Sequence, residues 1–167
     1  MSQNQTLKHL KFADYPQQPH GGKLVNRVLT GKAREEAIKK AKNLPKIMVD
    51  LEAVITLEMI ATGVLSPHEG FMDEENYKSV LLHGRLKDGT IWPVPLSFAP
   101  IGNTNKKVIE TLSIGDEVAL VDHSKEPVAI LKLTDIFDYD REFRAIHLFG
   151  TNDRNHPGVD AIYRRMG

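Results

Sequence analysis

Apolar residues recur at helical spacing in the first half of the chain and in short alternating runs in the second half. Up to about residue 29 there is no period, and Pro16, Pro19, Gly21 and Gly22 interrupt any helix. Over residues 32–44, Ala33, Ala37, Ile38, Ala41 and Leu44 fall on one stripe. Lys32, Arg34, Lys39, Lys40 and Lys42 take the remaining positions, and Pro45 ends the segment. Residues 47–51 are short and apolar, as a strand would be, and lead into a helix over about 52–62 with Asp50 as N-cap and Gly63 at the C′ position. A loop, Ser66-Pro67-His68-Glu69-Gly70, precedes a further helix over about 73–83 that carries Tyr77, Val80 and Leu81 on one face and ends at Gly84.

The texture then changes. Asp88-Gly89 is a hairpin signal between Leu86 and Ile91-Trp92, and Pro93 and Pro95 mark the following run as an edge or bulged strand. Residues 117–121 and 128–133 read as strands joined by a turn over 122–127, and residues 145–149 read as a third. Residues 159–166 have the pattern of a terminal helix. Helices first and short strands second favour an α+β fold with a small barrel-like sheet over a doubly wound parallel one.

Composition narrows the classes of function. A length of 167 residues suits a single domain over 1–167, given about 150 residues per domain. Lys plus Arg and Asp plus Glu are 22 each, so the formal net charge is zero and there is no overall electrostatic case for a nucleic-acid or membrane partner. The absence of cysteine excludes disulfides, thiolate catalysis and cysteine-based metal sites. The opening MSQNQTLKHL lacks the apolar core of a signal peptide, and no stretch approaches about 18 apolar residues, so a cytoplasmic location is expected.

No catalytic set assembles from the residues alone. His20-Gly21-Gly22-Lys23 lacks the spacing and the Ser or Thr of a phosphate-binding P-loop and fits a tight backbone turn. The seven histidines (His9, His20, His68, His83, His123, His147 and His156) are scattered without metal-ligand spacing, and no metal site is expected. Ser66 and Ser113 lack the glycines of a nucleophile elbow. Of the paired carboxylates Asp138/Asp140 and Glu69/Asp73, capping of backbone amides is the expected role. Trp92 and Phe98 fit core packing.

Four strings nevertheless carry a resemblance: PHGGKLVNR (19–27), LEMIATGVLSPHEGFM (57–72), RLKDGTIWPVPLSF (85–98) and FGTNDRNHPGV (149–159). In this order and at this spacing they resemble the amino-terminal part of ATP sulfurylase (sulfate adenylyltransferase). The resemblance implies a PUA-like fold, a small distorted β-barrel with flanking helices. It implies a family reaction in which a sulfate oxygen attacks the α-phosphorus of ATP, giving adenosine 5′-phosphosulfate while Mg-pyrophosphate leaves. It also implies that the groups serving that chemistry, on Q-x-R-N-P, H-x-x-H and G-R-D strings, lie in a following catalytic domain. None of those strings occurs in this chain. No catalytic residue is therefore assigned, no cofactor is expected in this chain, and ATP and Mg belong with the missing catalytic domain.

Two departures are local: His68 stands where the family often has Leu, and Thr56 where an Asp commonly precedes Leu-Glu-Met-Ile. The resemblance implies a non-catalytic scaffold whose partner is the catalytic domain, in cis or in trans, with contacts between copies of the chain as a further expectation. Two loops have the mixed polar and apolar make-up of a domain interface: Ser66, Pro67, His68, Glu69, Gly70 and Phe71, and Asn152, Asp153, Asn155, His156 and Pro157. A docking domain should also expose an apolar patch. The alternative is a free-standing PUA-like RNA-binding module, for which Lys32, Arg34, Lys39, Lys40, Lys42, Arg164 and Arg165 are the local basic reserve.

Overall fold

The computed structural model describes residues 18–165. The segment MSQNQTLKHL, with His9, and Pro16 lie outside them, as does Met166 at the end of the expected terminal helix. The order of elements is α1 (Gly31–Lys42), β1 (Lys46–Met48), α2 (Leu51–Ala61), α3 (Glu74–His83), α4 (Asn103–Ile109), β2 (Glu117–Val121), β3 (Pro127–Lys132), α5 (Arg141–Phe149) and α6 (Pro157–Arg165).

The sheet is mixed, in the order β1-β2-β3, with β1 parallel and β3 antiparallel to β2. The central strand β2 is buried on both faces, as its apolar run EVALV requires. Val118 and Leu120 pack with Ile47 and Val49, backed by Ala53, Val54 and Leu57 of α2. Ala119 and Val121 point the other way and meet Ala41 of α1. A second cluster gathers Met72, Tyr77, Val80, Leu81 and Leu86 around α3, with Trp92, Leu96 and Phe143 against it. A third joins α5 to α6 through Ala145, Val159 and Ile162.

Caps delimit the helices where the sequence places them. The Asp50 side chain accepts from Ala53 N and that of Asp73 from Asn76 N, and Gly84 closes α3 in the left-handed conformation at φ 64°. Asp73 Oδ1 also accepts from Asn76 Nδ2 at 2.9 Å, while Asn76 Oδ1 accepts from Lys87 N at 3.0 Å. This one cap thus ties the start of α3 to the turn beyond its end. Asp73→Ala is expected to lower the unfolding free energy by about 1 kcal/mol, readable as an earlier urea midpoint at unchanged slope.

Two expected strands are corrected. Residues 145–149 belong to helix α5. The Asp140 side chain accepts from Phe143 N, Gly150 closes the far end at φ 73°, and Arg144 and Ala145 are buried within the helix. A five-residue apolar run is too short for period alone to separate strand from helix, and here the flanking caps decide. The run through Pro93 and Pro95 forms no strand among the described residues. Only the bridge Arg85–Ile91 forms, because the prolines supply no N–H to extend a ladder.

Helix α4 went unread in the sequence. Its buried Asn105 covers the free edge of β1: Oδ1 accepts from Met48 N at 2.9 Å, and Nδ2 donates to Met48 O at 2.9 Å and to Ile101 O at 2.8 Å. A side-chain amide here replaces the next strand of the sheet.

Candidate functional site

The loop of residues 66–71 is built on the end of α2. Gly63 turns the chain at φ +85°, where an L side chain is strained. Ser66, buried, donates from Oγ to Gly63 O at 2.6 Å and accepts from Val25 N at 3.0 Å. Its hydroxyl therefore fastens the arm 23–29 to the loop. The Ser66-Pro67 bond is cis. Gly21, at φ +68°, brings the 20–22 turn so close that a Cβ there would lie 2.6 Å from Pro67 Cγ. The His20-Gly21-Gly22-Lys23 segment is thus the tight turn its glycines indicate, with Gly22 N donating to Pro19 O at 2.8 Å.

His68 is half-buried and set edge-on to Trp92, ring centroids 4.3 Å apart at 77°. His20 approaches the same indole at 5.8 Å, its Nε2 bonding Ile91 O at 2.7 Å. The buried His68 Nε2 has no hydrogen-bond partner among the described residues. Burial holds the imidazole below its ordinary range, His20 adds to that, and Asp88 opposes it. The folded state therefore favours neutral His68. On acidification the unfolded chain takes up its proton first, so stability is full above about pH 6.5 and declines as pH falls below it. His68→Leu is expected to flatten that decline, as measured by urea midpoints on either side of this pH.

Glu69 accepts from Lys23 Nζ through Oε1 and from Arg27 Nη2 through Oε2. These contacts, led by the Lys23 hydrogen bond, hold its carboxyl below the usual range. The three groups are solvent-exposed, so they fix the register of the arm more than they stabilise the fold. Phe71, at the far end of the loop, stacks on Phe98 with centroids 4.9 Å apart. Both rings line an apolar cleft of about 550 Å³ together with Met72, Leu131 and Phe137.

The loop of residues 152–157 connects α5 to α6 and is built differently. Asn152 Nδ2 donates to Glu142 Oε1 at 2.8 Å. Asp153 Oδ1 accepts from Asn155 N and Nδ2 at 2.9 and 3.0 Å, and Asp153 O accepts from His156 N at 3.0 Å. His156 packs on Phe149 at 4.8 Å and accepts from Gly158 N through Nδ1 at 3.2 Å, just after Pro157 opens α6. Gly158 is required there, since a Cβ would fall 2.8 Å from Phe149 Cε2. Among the described residues no hydrogen bond, ion pair or ring contact joins this loop to the 66–71 loop. The first belongs to the arm and the Trp92 turn, the second to the α5–α6 hairpin.

Arg144 was missed in the sequence because residues 145–149 read as a strand. It is buried in α5 and donates to Ser97 Oγ at 3.1 Å and Pro95 O at 3.4 Å. Its guanidinium carbon lies 5.7 Å from the ring centroids of both Tyr77 and Tyr139. It anchors the proline-rich segment to the second core through cation–π and hydrogen-bond contacts. Burial raises the hydroxyl pKa of Tyr77 and Tyr139.

Of the remaining candidates, Asp73 and Asp140 are N-caps, and His147 Nδ1 bonds Phe143 O at 2.8 Å within α5. The basic stretch of α1 is partly neutralised by the ion pairs Lys32–Glu36 and Lys40–Glu117. Among the described residues no three His, Asp or Glu side chains converge to hold a metal ion, and no helix is long and apolar enough to cross a membrane.

The chain belongs to the PUA-like domain family, whose model matches residues 17–167; its mixed three-stranded sheet with helices packed on it is an α+β arrangement. More particularly, it is similar to sulfate adenylyltransferases. It is 40% identical over 147 residues to that of Symbiobacterium thermophilum, covering 88% of this chain and 36% of that protein. It is 42% identical over 149 residues to that of Aeropyrum pernix, covering 88% and 38%. The chain thus spans a little over a third of the length of the curated relatives it matches. Among solved structures it is similar to the hexameric APS kinase from Thiobacillus denitrificans, with a TM-score of 0.64 and 31% identity over 73% of this chain and 24% of that one.

Proposed function

We propose that this chain is the non-catalytic scaffold domain of a sulfate adenylyltransferase, and that it docks and positions the portion that joins sulfate to ATP. The supporting observation is the pairing of about 40% identity across most of this chain with coverage of little more than a third of the relatives. The geometry is consistent with that division. Ser66, Glu69, Asp73, Asp140 and Asp153, the groups best suited to chemistry by type, are each engaged in fastening a loop or starting a helix.

In this reading ATP and Mg bind to the catalytic portion, and the substrate of the whole enzyme never meets a reactive group of this chain. The interface includes the 66–71 loop, whose Phe71 opens onto the apolar cleft, and the 152–157 loop at the α5–α6 end. The test is a chimera in which this chain replaces the matched segment of the Symbiobacterium thermophilum enzyme. The chimera is expected to release pyrophosphate from ATP in the presence of sulfate, whereas the 167-residue chain alone gives none. A folded chimera without activity would count against the scaffold role.

A further inference from the structure

Helix α2 is the most apolar helix of the fold by composition, LEAVITLEMIA, yet it buries only one side. Ala53, Val54 and Leu57 pack on the sheet and Ile60 is buried. Leu51, Ile55 and Met59 follow one another at intervals of four residues on a different face. Leu51 is 74% and Ile55 46% exposed. At the far end of the helix the apolar surface continues through Val64 (66%) and Leu24 of the arm (68%), whose Cδ1 lies 2.9 Å from where a Gly63 Cβ would be. This band ends where the 66–71 loop begins.

What covers it is indicated by where α6 finishes. Arg165, the last residue of α6, pairs through Nη1 with Glu52 Oε2 in the first turn of α2, next to Leu51. The end of α6 therefore lies within side-chain reach of the first turn of α2, and a polypeptide continuing from it starts near Leu51. In the sulfate adenylyltransferases this chain resembles, more than half of the length lies outside the matched segment. We infer that the Leu51–Ile55 face of α2, extended by Val64 and Leu24, is the surface on which the remaining portion of a sulfate adenylyltransferase polypeptide docks. The inference rests on the scaffold reading and adds to it the principal contact surface. The occupant is an apolar patch of that polypeptide, and the Arg165–Glu52 pair fixes where it enters.

The experiment compares the free 167-residue chain with the same chain in the chimera described above. Amides of α2 are expected to exchange at least about tenfold more slowly in the chimera than in the free chain. The pair Leu51→Lys with Ile55→Lys should abolish that protection and speed tryptic cleavage near the junction about tenfold, while the free chain keeps its melting temperature. Ile114→Lys and Val128→Lys, at exposed apolar positions elsewhere (66% and 39%), serve as controls and should leave the protection intact.

An active chimera in which α2 exchanges as it does in the free chain would overturn the docking surface and leave the scaffold role standing. So would an active chimera in which the α2 pair behaves like the controls. A free chain that dimerises, and becomes monomeric with the α2 pair, would assign the face to a second copy and overturn the inference. A wild-type chimera that neither folds nor forms product would overturn the scaffold role, and this inference with it.

Discussion

Leu120→Ala is expected to lower the unfolding free energy by about 2–5 kcal/mol, the range for emptying a well-packed core position. Leu120 is wholly buried at the centre of β2, the strand that the other two flank, and shares its face with Val118, Ile47 and Val49. The helices α1 and α2 sit on opposite sides of that strand, so a cavity there has no mobile neighbour to collapse into it. For a chain of this size the loss corresponds to roughly 5–15 °C in melting temperature. A thermal unfolding curve that shifts by under a degree or two would mean that β2 is not the centre of the core.

Gly63→Ala is expected to cost about 2–4 kcal/mol by a different route. The left-handed backbone at φ +85° alone carries about 1–2 kcal/mol for a residue with a Cβ. The added methyl would also overlap Val25 O and press within 2.9 Å of Leu24 Cδ1. Relieving the overlap moves the arm, and with it the Val25 N–Ser66 Oγ bond that secures the 66–71 loop. The variant should therefore show both an earlier urea midpoint and faster exchange of the Val25 amide. Loss of stability with Val25 protection unchanged would place the strain elsewhere. The same substitution at Gly89, where a Cβ would meet nothing within 4 Å, isolates the conformational cost because its φ of +90° is nearly the same.

The parts of the fold that were legible in the sequence carry their own local signals. The stripe of α1, the Asp50 and Asp73 caps, Gly84 after α3 and the apolar runs of β2 and β3 are all set by residues within a turn or two of one another. Two of the failures involve partners distant in sequence. Residues 145–149 form a helix because Asp140 and Gly150 cap it and Arg144 finds partners at Pro95 and Ser97, almost fifty residues away. Helix α4 exists to bring Asn105 to the open edge of β1, a demand invisible until β1 and β2 are paired.

The candidate loops were legible as segments but not as structures. That Glu69 meets Lys23 and Arg27 follows from the arm folding back to the end of α2, where Arg27 N donates to Ala61 O, and His68 meets Trp92 only once the turn bridged by Arg85 and Ile91 has closed. Conversely, nothing in the pattern of α2 announced an uncovered face, since a helix apolar on most sides reads as interior.

The proposal is that this chain supports sulfate activation without performing it. Its most direct test is pyrophosphate release from ATP and sulfate, measured in parallel on the purified 167-residue chain and on the chimera with the Symbiobacterium thermophilum enzyme. The account predicts turnover by the chimera and none by the chain alone at any ATP, Mg or sulfate concentration. Sustained sulfate-dependent pyrophosphate release by the isolated chain would contradict it.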